Sequence, residues 1–410
     1  MTSASGLTMP GQVRSVAVQD PSGPLYVTSY GANALETVVT MVHVRGSVSW
    51  HRSYPGTGRP QSRLSADGTL WVAYPQGTGR VLEGVLPDGS TDRTVVPECE
   101  AGEEIGAFVV LDDGFCIAWA GASPMLRRMQ GIASTPPPPR VARYTREGQC
   151  LWSTPVTLGA VSHPGVMGMS RQTGWETRPL RPWVPEETSV DHWEPLLVSG
   201  DRAAASFTDA HGGLGRTFFL DLVSGAIVSA TEPTPMGRKA IAGPGAFLIG
   251  SQGYGEFTTR RYDRSGSESD RWASHGAMLV NDRGTVCGPE LENSLPSTSR
   301  FRQLAPDAVL IDGPPLSGYY TSSPAMDRAG TTVFWRDGTL LTVDADLTPC
   351  ELYATDDSRN IMGRTLLLDD GLVVVPLDSE VVVFRTPLGP LAEGPWPCGD
   401  ANLRGNPVVR

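Results

Sequence analysis

Apolar and β-branched residues in this chain fall in short runs bounded by Gly, Pro and Asp, and windows with the three-and-four spacing of an amphipathic helix are nearly absent. Leu25-Tyr-Val-Thr-Ser-Tyr30 and Thr37-Val-Val-Thr-Met-Val-His-Val44 have the length and composition of strands. In Arg63-Leu-Ser-Ala-Asp-Gly-Thr-Leu-Trp-Val-Ala-Tyr74 two such runs flank Asp67-Gly68, a pair suited to a two-residue hairpin turn. The pattern predicts an all-β chain built from hairpins.

The same phrase returns. It is found at Val109–Trp119, Leu196–Phe207, Ala246–Gly250, Ala277–Val286, Pro324–Phe334 and Thr365–Val375, after a first module over Ser15–Tyr54 and the second at Arg63. Eight modules result, most of them 40 to 50 residues apart, close to the length of a four-stranded propeller blade. A four-stranded sheet leaves two faces uncovered. Radial stacking buries both and leaves only short protected edges, whereas an open stack would need caps, and neither end of the chain supplies one. The expectation is a single closed β-propeller of eight, or seven, four-stranded blades over residues 1–410.

Two stretches break the rhythm. Residues 122–140 contain four consecutive prolines, which hold the backbone extended and cannot pair within a sheet. Residues 159–193 carry Trp175, Trp183, Trp193, His163, His192, Arg171, Arg178 and Arg181, and they account for the 87-residue step between the third and fourth phrases. Long insertions between blades lie on the faces of the ring, where binding concentrates.

Charge and cysteine content narrow the function classes. A formal net charge of -11 and a pI near 5.1 argue against broad attraction to nucleic acid or anionic lipid. No stretch reaches the roughly 18 to 20 apolar residues of a membrane-spanning helix, and the N-terminus lacks the basic and apolar regions of a signal peptide. Cys99, Cys116, Cys150, Cys287, Cys350 and Cys398 stand far apart with no C-x-x-C pair, as expected of reduced thiols. A cytoplasmic chain is expected, and the low Lys content relative to Arg fits a GC-rich, bacterial genome.

Candidate chemistry is sparse. His43, His51, His163, His192, His211 and His275 show no close metal-ligand spacing, although blades can gather ligands around an axis. Asp112-Asp113 and Asp369-Asp370 each precede Gly and read as turn residues, in which Asp accepts backbone hydrogen bonds. Gly212-Gly-Leu-Gly215 and Gly253-Tyr-Gly-Glu256 are followed by no helix, so they read as hairpin or bulge glycines rather than phosphate loops. Ser162-His163 and Asp209-Ala-His211 supply parts of a nucleophile set without a Gly-x-Ser-x-Gly elbow.

Gly46-Ser-Val-Ser-Trp50 and Gly148-Gln-Cys-Leu-Trp152 share a Gly-x-x-x-Trp pattern, with Tyr353 in the Trp place of a degenerate third copy. With the tail Gly394–Pro407, these modules resemble quinoprotein-type (PQQ-like) β-propellers, whose blades often end in that docking motif. The resemblance implies a propeller fold. Active quinoproteins hold their cofactor with an adjacent Cys-Cys pair and calcium ligands, neither of which is recognisable in this sequence, so no cofactor is expected.

The functional expectation is a non-catalytic, monomeric binding or scaffold module for a protein partner. Its contact face would lie on the two insertions, through Arg127, Arg128, Arg171, Trp175, Arg178, Arg181 and Trp183, because aromatic and Arg side chains dominate interface energetics. The alternative is an enzyme, a lyase or hydrolase, that uses the axial funnel, with a divalent ion drawn from several blades.

Overall fold

Asp67 and Gly68 illustrate how each hairpin of this chain is made. Gly68 takes a φ of +87°, which glycine adopts without strain, while Asp67 Oδ1 accepts hydrogen bonds from the Thr69 amide (3.1 Å) and the Ser65 hydroxyl (2.5 Å). Desolvation pushes the Asp67 carboxyl up, but these bonds and the one from Arg146 outweigh it, and the pKa settles at about 2. Asp370 and Gly371, with φ of 56° and 67°, turn the chain between the first two strands of the last module. The Asp-Asp-Gly segments are therefore turns, as expected.

The computed structural model describes residues 3–31, 36–44, 46–56, 61–121, 137–161, 181–182, 188–209, 214–253, 256–274, 276, 278–290, 299–318, 321–355 and 363–410. It is a β-propeller. Seven antiparallel sheets have four strands each, and an eighth sheet, of seven strands, contains the same four-strand meander. They are numbered blades 1 to 8 in chain order.

The innermost strands of blades 1 to 4 are Val13–Val18, Gln61–Leu64, Glu103–Leu111 and Leu196–Ser199. Those of blades 5 to 8 are Lys239–Gly243, Leu279–Val280, Ala325–Met326 and Leu366–Leu367. Each recurring phrase of the sequence falls on the inner hairpin of one blade or, for Ala246–Gly250, on the second strand. Blade 8 supplies three strands from the C-terminal part of the chain, and Ser3–Thr8 completes it, pairing antiparallel with Glu380–Arg385. The ring is thus closed by hydrogen bonds between the two ends of the chain, which removes a free sheet edge.

The Gly-x-x-x-Trp motifs join neighbouring blades. Trp50, in the outer strand of blade 1, donates from Nε1 to Pro87 O at 2.9 Å in the outer turn of blade 2. A Cβ on Gly89 would stand 3.0 Å from the Trp50 ring. Trp152 of blade 3 donates to Leu222 O of blade 4 at 3.0 Å and covers Gly225 in the same way. Trp272 of blade 5 repeats the contact on Ala305 O of blade 6 at 2.7 Å, from a position further along its strand. Tyr353 packs on Phe384 of blade 8 with ring centroids 5.2 Å apart. Between blades the core is apolar, with Trp71, Trp119, Trp272 and Trp335 buried in it.

The C-terminal tail is not part of a blade. Between Leu391 and Val409 it passes along the C-terminal ends of the inner strands. Trp396 exchanges backbone hydrogen bonds with Val280 of blade 6, Pro397 O accepts from Met326 of blade 7, and Leu403 O from Val18 of blade 1. Arg404 O accepts from Leu64 of blade 2, the Asn406 side chain bonds both backbone groups of Val110 in blade 3, and Val408–Val409 pairs parallel with blade 4. This strap satisfies backbone groups facing the axis and floors the channel at that end.

Candidate functional site

Above this floor lies an axial cavity of about 110 Å³. Its walls are the N-terminal halves of the inner strands and the segments entering them, which bring together Arg14, Arg63, Arg238 and Arg364 from four places around the ring. Inner strands converge on the axis, so side chains on the axial side of the segments leading into them meet there. Gly399 and Asp400 of the tail form the floor, and His192, Trp193 and Glu194 line the wall between blades 3 and 5.

Arg238 is the most enclosed of the four with Arg364, the two being 6% and 5% exposed. Arg238 Nη1 donates to Glu194 Oε1 at 2.8 Å and to Ser323 Oγ at 3.0 Å. Its guanidinium stacks 3.9 Å over the Trp193 ring, a cation–π contact. Nε and Nη2 are buried and meet no hydrogen-bond acceptor among the described residues. Arg364 reaches down to the tail, donating from Nη2 to Asn402 O at 2.7 Å and Leu403 O at 3.0 Å, with Nη1 3.5 Å from Asp400 Oδ2. Its Nε is likewise without an acceptor there.

Arg63 donates to Phe108 O and Ser62 O, both at 3.2 Å. Burial pushes its guanidinium down from the usual arginine range; Asp400 opposes that shift and the neighbouring Arg364 adds to it. Arg14 stacks 5.4 Å over the Tyr30 ring, and its Nε also lacks an acceptor. In a chain of net charge -11, this is a local concentration of positive charge.

Glu194 adopts a φ of 38°, uncommon for a residue with a side chain. The turn lets its carboxylate bond both Arg238 and the backbone N–H of Lys239, the latter at 3.1 Å. Lys239 itself is fully enclosed: its ammonium donates to Asp191, to Trp193 O at 2.7 Å and to Gly237 O at 3.0 Å. The residues 191–194 thus fasten the end of the second insertion to the start of blade 5.

Strand registers fix where the two insertions leave the ring. In blade 3, Glu103 pairs with Gly121, Trp119 with Arg140, and Arg140 with Pro155. The chain departing after Gly121 and the chain departing after Pro155 therefore leave the same edge, at the end where the inner strand begins. Thr188–Val190 returns at that edge of blade 4 by pairing with Phe207–Asp209. Both insertions are rooted on the mouth side of the cavity, opposite the tail.

Of the sequence-predicted contact residues, Arg127, Arg128, Arg171, Trp175, Arg178 and Trp183 lie outside the described residues. Arg181 sits in a short strand, Arg181–Pro182, paired with Ala160–Val161. His192 and Trp193, at the end of the second insertion, reach the cavity wall. His43 lies elsewhere on the surface, 3.0 Å from Ser49 Oγ, and His163, His211 and His275 are outside the described residues. Among the described residues no group of three His, Cys, Asp or Glu side chains stands close enough to share a metal ion. All six cysteines are free, and burial raises the Cys116 and Cys287 thiols to about 12 and Cys398 to about 11.

The arginines were missed in the sequence. Their common signal is positional: Arg14, Arg63 and Arg238 each stand just before, or at the head of, the apolar run of an inner strand.

No protein-family model matches the chain, and no curated protein matches it. Among solved structures it is similar to virginiamycin B lyase from Staphylococcus aureus, with 9% identity, TM-score 0.48, and 94% of this chain and 100% of that one covered. It is also similar to the WD40 β-propeller domain of Doa1 (9% identity, TM-score 0.44, 93% and 95% covered) and to Kuenenia stuttgartiensis hydrazine synthase (13%, 0.42, 93% and 97%). A propeller fold by itself assigns no function.

Proposed function

We propose that this chain is a non-catalytic β-propeller binding protein, and that it receives a protein partner on the face from which both insertions emerge. The observation that carries the reading is the register of blade 3, in which the chain leaves after Gly121 and again after Pro155 at one edge, on the mouth side of the cavity. The sequence of the two insertions, with Arg127, Arg128, Arg171, Trp175, Arg178, Arg181 and Trp183, supplies the aromatic and Arg side chains that anchor interfaces. The docking tryptophans support kinship with quinoprotein-type propellers as a blade-joining device, with no cofactor involved. The protein acts as a monomeric scaffold in the cytoplasm.

The test is an affinity capture from native lysate with the intact chain, with residues 162–187 replaced by a short Gly-Ser linker so that Asp191 and Trp193 stay in place, and with Trp175→Ala/Trp183→Ala. A partner held by the intact chain and lost from both altered baits supports the reading. Identical capture by all three removes it. A second reading, an enzyme working in the axial cavity, draws on the arginines that converge there; stoichiometric divalent metal in protein purified without added ions would favour that reading.

A further inference from the structure

We propose that the axial cavity is a binding site for a compact oxyanion carrying two negative charges, a phosphate group or a small dicarboxylate, held between Arg238 and Arg364. The site adjoins the partner-binding face through His192 and Trp193, but its arginines belong to the blades and not to the insertions.

The first argument is charge. Four guanidinium groups line the cavity against two carboxylates, Glu194 and Asp400, so four minus two leaves an excess of two positive charges. A guanidinium stays protonated, and excess charge removed from water is costly unless an opposite charge meets it. A dianion matches the excess.

The second argument is the donors. Arg238 uses only Nη1 on protein partners, and its Nε and Nη2 remain buried without an acceptor among the described residues. Arg364 keeps Nε in the same condition. Buried polar groups are normally paired, and an unmet donor on a charged group is the costliest kind. Ser323 Oγ accepts from Arg238, which leaves its own O–H to donate beside them. Planar guanidinium forks and a hydroxyl converging from different blades suit the several oxygens of a phosphate or of two carboxylates.

The third argument is size. One water occupies about 10 to 15 Å³ on the same measure of volume, so a cavity of about 110 Å³ takes a ligand of roughly ten non-hydrogen atoms or fewer. A nucleotide is too large. A phosphate, a small phosphomonoester or a three- to four-carbon diacid fits.

The experiment is calorimetric titration of the full chain with inorganic phosphate, malonate and acetate in separate runs, at constant ionic strength in chloride. The expected result is saturable binding of phosphate or malonate, at least about tenfold tighter than acetate. Saturation by phosphate alone identifies a phosphoryl ligand, by malonate alone a dicarboxylate, and by both the shared chemistry. Arg238→Gln should weaken the bound dianion by about tenfold or more. Arg14→Gln serves as the second variant should Arg238→Gln fail to fold, and exposed Arg93→Gln should change nothing. Absence of saturation by either dianion, or equal affinity in wild type and the cavity variants, overturns the proposal. Loss of partner capture with dianion binding retained, or the reverse, separates this site from the partner-binding face.

Discussion

Arg238 and Lys239 are adjacent in the chain, carry the same charge and are almost equally buried, yet their surroundings differ in kind. All three ammonium protons of Lys239 are taken, by Asp191, Trp193 O and Gly237 O. Arg238 meets its protein partners through one nitrogen and leaves two buried without an acceptor among the described residues. The alternation of a strand sends the two side chains to opposite sides, Lys239 into protein and Arg238 into the axial cavity. A buried charge whose every donor is used fastens a structure, whereas one with donors in reserve is placed to meet something else.

The largest effect should come from Lys239. Lys239→Met strands Asp191 as an unpaired buried carboxylate and should lower unfolding free energy by about 3 to 5 kcal/mol, read from urea denaturation midpoints. A fully stable Lys239→Met that instead lost dianion binding would collapse the contrast between the neighbours. The double replacement Asp191→Asn/Lys239→Met, which removes both charges, should recover much of that loss, because breaking a buried pair costs more than deleting it.

Arg238→Gln should change stability by about 1 kcal/mol or less, since lost bonds to Glu194 and Ser323 are offset by relief of an under-paired buried charge. Circular dichroism melts of the two single variants side by side would sharpen the comparison, and a melt for Arg238→Gln as low as that of Lys239→Met would defeat it.

The smallest effect belongs to a third pair, Arg146 and Asp67, which joins the outside of blade 3 to blade 2 at 2.9 Å. The folded Asp67 carboxyl, at about 2, lies below its unfolded value, so its contribution to stability is present above the unfolded pKa and is lost as pH falls from about 4 through 2. Asp67→Asn should flatten that acid limb in pH-dependent denaturation, and at neutral pH it should cost well under the Lys239 variant, because the pair is half exposed and screened. An unchanged acid limb would deny Asp67 that role.

The contrast between these pairs bears on how the molecule could be read. The Asp-Gly turns, the recurring strand phrases and the docking residues Trp50 and Trp152 were legible, because each depends on residues close together in the chain: Gly68 on its positive φ, Trp50 on a fixed distance from Gly46. Of the second insertion, His192 and Trp193 line the cavity wall, whereas the residues expected to make partner contacts, Arg181 apart, lie outside the described residues. Arg238 and Arg364 were invisible. They are 126 residues apart, and nothing local distinguishes a strand-leading Arg that faces solvent from one that faces an axis.

The tail divides along the same line. The segment Gly394–Pro407 stood out in the sequence, but its course beneath blades 6, 7, 1, 2, 3 and 4 follows from hydrogen bonds to strand ends distributed over the whole ring. The sequence by itself determined the all-β character, the recurring hairpin rhythm and the sign of the net charge, since propensity, periodicity and net charge are sums over local terms. The tertiary structure alone decided that blade 8 closes on Ser3–Thr8, that the tail floors the channel, and that four arginines meet above it, because ring closure brings residues from four separate segments of the chain to one axis.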